Sequence, residues 1–197
     1  HASEKLKQEF LPQILSGEVE FAVGYSEPQA GSDAANMQLK AEKVDGGWNL
    51  NGQKMWTTSA HFADWYWVGA RTDPDKPKHE GLSLFLIPMN HEGLEVQSLP
   101  TIGKDTTNQV FFEDVFVPDD YLVGVRGRGF QYIAEALDHA VEVIEHYDPA
   151  LVRSAVPNLI LAREAAKKVK VVLTGEGADE LLPGTPTSTA PSTPTRT

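Results

Sequence analysis

The sequence predicts an α+β protein: a β-barrel or orthogonal sandwich, followed by a small helical and αβ segment and a disordered tail. Three observations carry this. Between residues 18 and 118, short runs rich in branched and aromatic residues alternate with Gly, Pro and Asp punctuation. After Pro118 the apolar spacing changes to that of a helix. The last stretch, 183–197, is Thr, Ser and Pro with almost no apolar content, too little to bury a folded core.

The elements follow in order. Leu6, Phe10, Ile14 and Leu15 recur at helical spacing until Ser16-Gly17 interrupts them, so the chain is expected to open on the tail of a helix already under way. A helix that short is marginal without a partner, and the first residue is His1, so 1–17 is expected to be the helical end of a segment cut out of a longer chain. Stretches 38–44 and 48–51 alternate around Asp45-Gly46-Gly47, a hairpin signature. Strands at 65–70, 82–87 and 110–117, each bounded by Asp, Pro or Gly, complete a β-domain spanning 18–118. The run 73–78, Asp-Pro-Asp-Lys-Pro-Lys, is expected to be a solvated loop. From Gly129 to about residue 144, Phe130, Ile133, Ala134, Leu137, Val141 and Ile144 form one helical face. A second helical stretch, 157–168, and an apolar strand, 169–173, come after it.

Bulk properties narrow the function classes. A chain of 197 residues holds one ordinary domain and room for a small second one. The formal net charge of −11 repels polyanions, so neither nucleic acid nor an anionic membrane is an expected partner. The absence of cysteine removes disulfides, thiolate metal sites and thiol nucleophiles from consideration. His61, His79, His91, His139 and His146 are scattered without metal-ligand spacing. No apolar run reaches membrane-span length and the start carries no signal-peptide pattern, so a cytoplasmic location is expected.

Two segments carry the chemistry. In Val23-Gly24-Tyr25-Ser26-Glu27-Pro28-Gln29-Ala30-Gly31-Ser32-Asp33, Pro, two glycines and hydroxyl side chains share a short turn, where backbone amides can face a ligand and Gly permits close approach. In Lys54-Met55-Trp56-Thr57-Thr58, an aromatic face stands beside two hydroxyls. Taken singly, the first is an ordinary polar turn and the second an ordinary strand packing its aromatic inward. Taken together, with 51–54, 60–65 and 111–118 in the same order, they resemble the middle domain of the acyl-CoA dehydrogenases, over about 1–139. There a G-x-[ST]-E-P-x-A-G-S-D segment and a W-x-T segment jointly hold FAD.

The resemblance implies a cofactor, FAD, held by Val23, Gly24, Tyr25, Ser26, Ser32, Trp56, Thr57 and Thr58. Trp56 would cover the flavin ring, Thr58 would reach its reactive nitrogen, and Ser32 would also meet the acyl-CoA substrate near its pyrophosphate. It further implies α,β-dehydrogenation of an acyl-CoA thioester, an electron-transfer flavoprotein as electron acceptor, and a homo-oligomeric assembly. The family's catalytic base, a glutamate, lies in its C-terminal helical domain, of which only the start, 119–139, is expected here. No residue of this chain is assigned the catalytic role, and the fragment is expected to be inactive alone.

From about 136 to 182 the text changes. Residues 145–157 and Thr174-Gly175-Glu176-Gly177-Ala178-Asp179-Glu180 resemble the synthetase domain of glutamine-dependent asparagine synthetases, so 140–182 is expected to be a fragment of that kind. A Gly-rich loop after an apolar strand is where α/β sheets bind ligands. The resemblance implies an ATP or aspartyl-adenylate site at Thr174, Gly175 and Glu176, although that family's phosphate loop has no counterpart in the sequence. The alternative functions are therefore ATP-dependent amidation of aspartate, or a non-catalytic chimeric scaffold.

Overall fold

In the computed structural model, residues 1–101, 106–135 and Lys167 are described. The chain divides into two compact units, His1–His139 and Ala140–Thr197. The second helical stretch, the strand at 169–173, the tail and the Thr174, Gly175 and Glu176 site all lie outside the described residues, as does the helix beyond 135.

The first unit opens with α1, Glu4–Ser16. Contrary to the expectation of a helix already under way, α1 carries its own start: Ser3 is extended and its side chain accepts a hydrogen bond from the Leu6 amide, satisfying one of the orphan donors of the first turn. Gly17 ends it in the left-handed conformation, φ 72°, with its amide returned to the last carbonyls.

Eight strands follow among the described residues: β1 (Phe21–Gly24), β2 (Lys40–Val44), β3 (Gly47–Thr58), β4 (Trp65–Arg71), β5 (Leu82–Pro88), β6 (Leu94–Pro100), β7 (Thr106–Pro118) and β8 (Leu122–Val123). They form one sheet in the order β6-β7-β3-β2-β4-β5-β8, with β1 added in parallel along β4. The expected hairpin is present: β2 and β3 pair antiparallel across Asp45-Gly46, and Gly46 supplies the positive φ of the turn.

The sheet folds back over itself. Tyr66 of β4 stacks on Phe112 of β7 at 5.9 Å, and Trp48 of β3 meets Phe85 of β5 edge-on at 5.7 Å, although neither pair of strands is hydrogen-bonded. These rings, with Leu50, Val68, Ile87, Val110 and Val115, form the main core between the two halves of the sheet. A second core lies on the other face of β4 and β5, where Leu6 and Phe10 of α1 pack against Leu84, Leu86 and Val123. Covered on both faces, β5 is buried from Leu82 to Ile87, which is why it reads as an apolar run interrupted only by Ser83, whose hydroxyl bonds that of Thr72 at 2.8 Å. The expected fold class, mostly β-sheet with few helices, is thus the one observed. The loop at 73–78 is exposed from 74 onward, as expected, and residues 129–135 begin the predicted helix.

Candidate functional site

The two singled-out segments meet. Val23 and Gly24 close β1, and the turn proper starts at Tyr25. The Met55 amide donates to the Ser26 carbonyl at 2.9 Å, tying the turn to β3. At that point β3 bulges: Lys54 pairs with Val110 and Thr57 with Asn108, so Met55 and Trp56 together stand against Gln109 alone. Trp56 takes φ 61°, a left-handed conformation that costs a bulky residue on the order of 1–3 kcal/mol. Its ring is 60 % exposed. Bulge and backbone strain therefore present a large aromatic surface to solvent instead of packing it.

Of the other expected site residues, Val23, Ser32 and Thr58 are exposed and Ser26 is half-buried. The hydroxyls of Ser26, Ser32 and Thr58 bond to no other group among the described residues. An aromatic face beside unspent hydroxyls and a turn of main chain suits a flat heteroaromatic ring with a polar edge, which is the shape and chemistry of a flavin.

Three of the expected site residues turn inward. The Thr57 hydroxyl is buried against the Tyr66 hydroxyl at 2.7 Å, and its carbonyl accepts from Asn108 Nδ2 at 2.9 Å, so Thr57 fixes the strand between Trp56 and Thr58. The Tyr25 hydroxyl accepts from Trp67 Nε1 at 2.7 Å, and burial pushes it up to about 12. Burial likewise raises Tyr66. Gly24 has no room for a side chain: a Cβ there would lie 2.5 Å from the Tyr66 ring.

The structure also assembles a charged cluster that sequence reasoning passed over. Glu27, read as part of a polar turn, is 3 % exposed, and Lys54, two residues before Trp56, is fully buried; their 2.7 Å ion pair joins the turn to β3. Burial lowers the Lys54 ammonium to about 8, against the opposing pull of Glu27. Arg71, at the end of β4, is 6 % exposed and donates to the carbonyls of Ala35, Met37 and Lys78; burial lowers it too. Charged residue types point to the surface in a single sequence. The one available signal was their position: Glu27 inside the turn motif and Lys54 just before Trp56.

The model of the acyl-CoA dehydrogenase middle domain matches residues 22–115, which contain all eight expected flavin-site residues. The chain is 44 % identical over 132 residues to the acyl-CoA dehydrogenase FadE34 of Mycobacterium tuberculosis, covering 66 % of this chain and 19 % of that protein. Over this segment the chain is similar to the acyl-CoA dehydrogenases, whose middle domain residues 22–115 match.

That family is one of oxidoreductases. Among solved structures, the ChsE4-ChsE5 complex from Mycobacterium tuberculosis superposes with a TM-score of 0.67 at 35 % identity, over 71 % of this chain and 36 % of the other. The FAD complex of PigA gives 0.67 at 26 % identity, over 91 % and 46 %. The chain thus spans less than half the length of each of these relatives. The asparagine synthase model matches residues 130–197, in keeping with the change of text after the acyl-CoA dehydrogenase segment.

Proposed function

We propose that residues 18–118 are the FAD- and thioester-binding part of an enzyme that dehydrogenates acyl-CoA thioesters at the α,β position. The observation that carries this reading is the Trp56 ring, held exposed on a strained bulge beside the Ser26 turn. When bound, FAD supplies the acceptor for a hydride. This chain's residues would bind and orient it: Trp56 would cover the ring, Thr58 would offer its hydroxyl to the reactive ring nitrogen, and Ser26 with the main chain from Val23 to Tyr25 would meet the polar edge. Thr57 holds Trp56 and Thr58 in register from inside. Ser32, on the exposed end of the turn, meets the pyrophosphate of the substrate. The α-proton would be taken by a carboxylate outside this segment, and the family resemblance implies an electron-transfer flavoprotein as electron acceptor and a homo-oligomeric assembly.

Titration of FAD into the full chain, followed by flavin fluorescence, tests the site. Trp56→Ala removes the stacking face, worth on the order of 1 kcal/mol beyond buried area, so affinity is expected to fall at least roughly fivefold. Equal affinity in the variant would remove Trp56 from the site and the reading with it.

A second reading, from the ligase class, rests on the asparagine synthase match at 130–197. There Thr174, Gly175 and Glu176 would serve an aspartyl-adenylate. Pyrophosphate release from ATP in the presence of aspartate, lost in Glu176→Ala, separates it from the first.

A further inference from the structure

Three side chains of charged type, Glu27, Lys54 and Arg71, are buried in one small β-domain, where apolar residues of similar volume commonly serve stability as well or better. Their partners indicate what they do instead. Glu27 Oε1 accepts from Lys54 Nζ at 2.7 Å and the Leu39 amide at 2.8 Å; its Oε2 accepts from the Gln38 amide at 2.6 Å and Gln29 Nε2 at 2.7 Å. Lys54 Nζ also donates to the Tyr25 carbonyl at 3.3 Å. Arg71 donates to the Ala35 carbonyl at 2.6 Å, to the Met37 carbonyl at 2.9 and 3.1 Å, and to the Lys78 carbonyl at 2.7 Å. Apart from Lys78, every group held lies between Tyr25 and Leu39 or is Glu27 or Lys54 itself. Lys78 in turn pairs with Asp33, inside the same loop, at 2.6 Å.

The loop from Tyr25 to Leu39 has little regular structure to hold it: one short 3₁₀ turn, Ala34–Asn36, and an isolated bridge between Glu27 and Ala30. It nonetheless carries Ser26 and Ser32. Lys54 sits on β3 at the last paired position before the Trp56 bulge, so one ion pair fixes both the loop and the start of the bulge.

We propose that Glu27, Lys54 and Arg71 form a positioning cluster that sets the Ser26–Ser32 loop against the Trp56 bulge before any ligand arrives. None of the three needs to touch the ligand. The cluster gives the loop a single conformation, so that binding does not have to order it. As a statement about flavin affinity this rests on the FAD reading above; as a statement about loop order it stands on the geometry alone.

Amide hydrogen exchange on the full chain, paired with FAD titration, tests both. Two variants are compared with the parent: Arg71→Lys, which keeps the charge but loses the planar fork, and the double change Glu27→Gln, Lys54→Met, which removes the pair without leaving one charge buried alone. The expected result is exchange at least roughly tenfold faster at Asn36, Met37, Gln38 and Leu39, with β5 and β7 amides within about twofold of the parent, and FAD affinity lower by at least roughly tenfold. If one variant fails to fold, the other decides. Loop exchange unchanged, or loop and sheet amides accelerating together, overturns the proposal by making the cluster ordinary support for the core. If the parent itself takes up no FAD, the flavin reading fails and the exchange pattern alone judges the cluster.

Discussion

Trp56 concentrates the conflict between folding and binding in one residue. Its φ of 61° suits glycine, and its ring buries little of itself in the fold. A left-handed conformation costs an L-residue about 1–2 kcal/mol, whereas Gly adopts it without strain and gives back only about 0.5–1 kcal/mol through its freer unfolded chain. Trp56→Gly is therefore expected to unfold at a higher urea concentration than Trp56→Ala, which keeps the strain, while both lose flavin affinity. An alanine variant more stable than the glycine variant would mean that the bulge is not strained at Trp56. Of the residues proposed for the site, the exposed Trp56, Thr58 and Ser32 and the half-buried Ser26 stood out in the sequence because hydroxyls and an aromatic in a Gly- and Pro-rich context are unusual as core. Thr57 and Tyr25 did not. Whether a hydroxyl faces a ligand or a neighbour depends on which face of a bulged strand it occupies, and the bulge itself left no mark in the spacing.

At the scale of elements, the strands that could be read were those with two buried faces or a clean alternation, such as β5 and the β2–β3 hairpin. β6 escaped notice because it lies at the sheet edge with only Leu94, Val96 and Leu99 turned partly inward among polar neighbours. β3 read as shorter than its 12 residues because Asn51-Gly52 resembles a turn. Gly52 holds φ 137° opposite a bulge in β7, where the Asp114 amide donates to Asn51 Oδ1, and the strand runs on to Thr58. The helix α1 is held through Phe10, whose ring meets Trp65 at 4.8 Å and Phe21 at 5.5 Å, both edge-on. Phe10→Ala opens a cavity among these rings and is expected to cost about 3–5 kcal/mol. Urea denaturation followed by tryptophan fluorescence, which reports on Trp65, measures it. A loss below about 1 kcal/mol would show that the β-domain is indifferent to α1.

At the scale of the whole molecule, the distribution of family matches sets the expected chemistry. Residues 22–115 match the acyl-CoA dehydrogenase middle domain, while 130–197 match asparagine synthase in place of the helical domain in which the first family's resemblance puts its base. Glu27, the acidic residue nearest the Trp56 bulge in the sequence of the turn, is buried and accepts four hydrogen bonds, from Lys54 Nζ, the Gln38 and Leu39 amides and Gln29 Nε2, which occupy its lone pairs and leave none to take a proton from a substrate. Loss of a positioned base alone commonly costs a factor of roughly a hundred to ten thousand, and a site not closed from water loses further electrostatic stabilisation. This chain is therefore expected to bind FAD without turning over. Reduction of an artificial electron acceptor by short- and medium-chain acyl-CoAs, with FAD in excess, is expected to stay at the level of free flavin. Turnover above that level which disappears in the Trp56→Ala, Thr58→Ala double variant would place the reaction at this site and require a second carboxylate able to reach it.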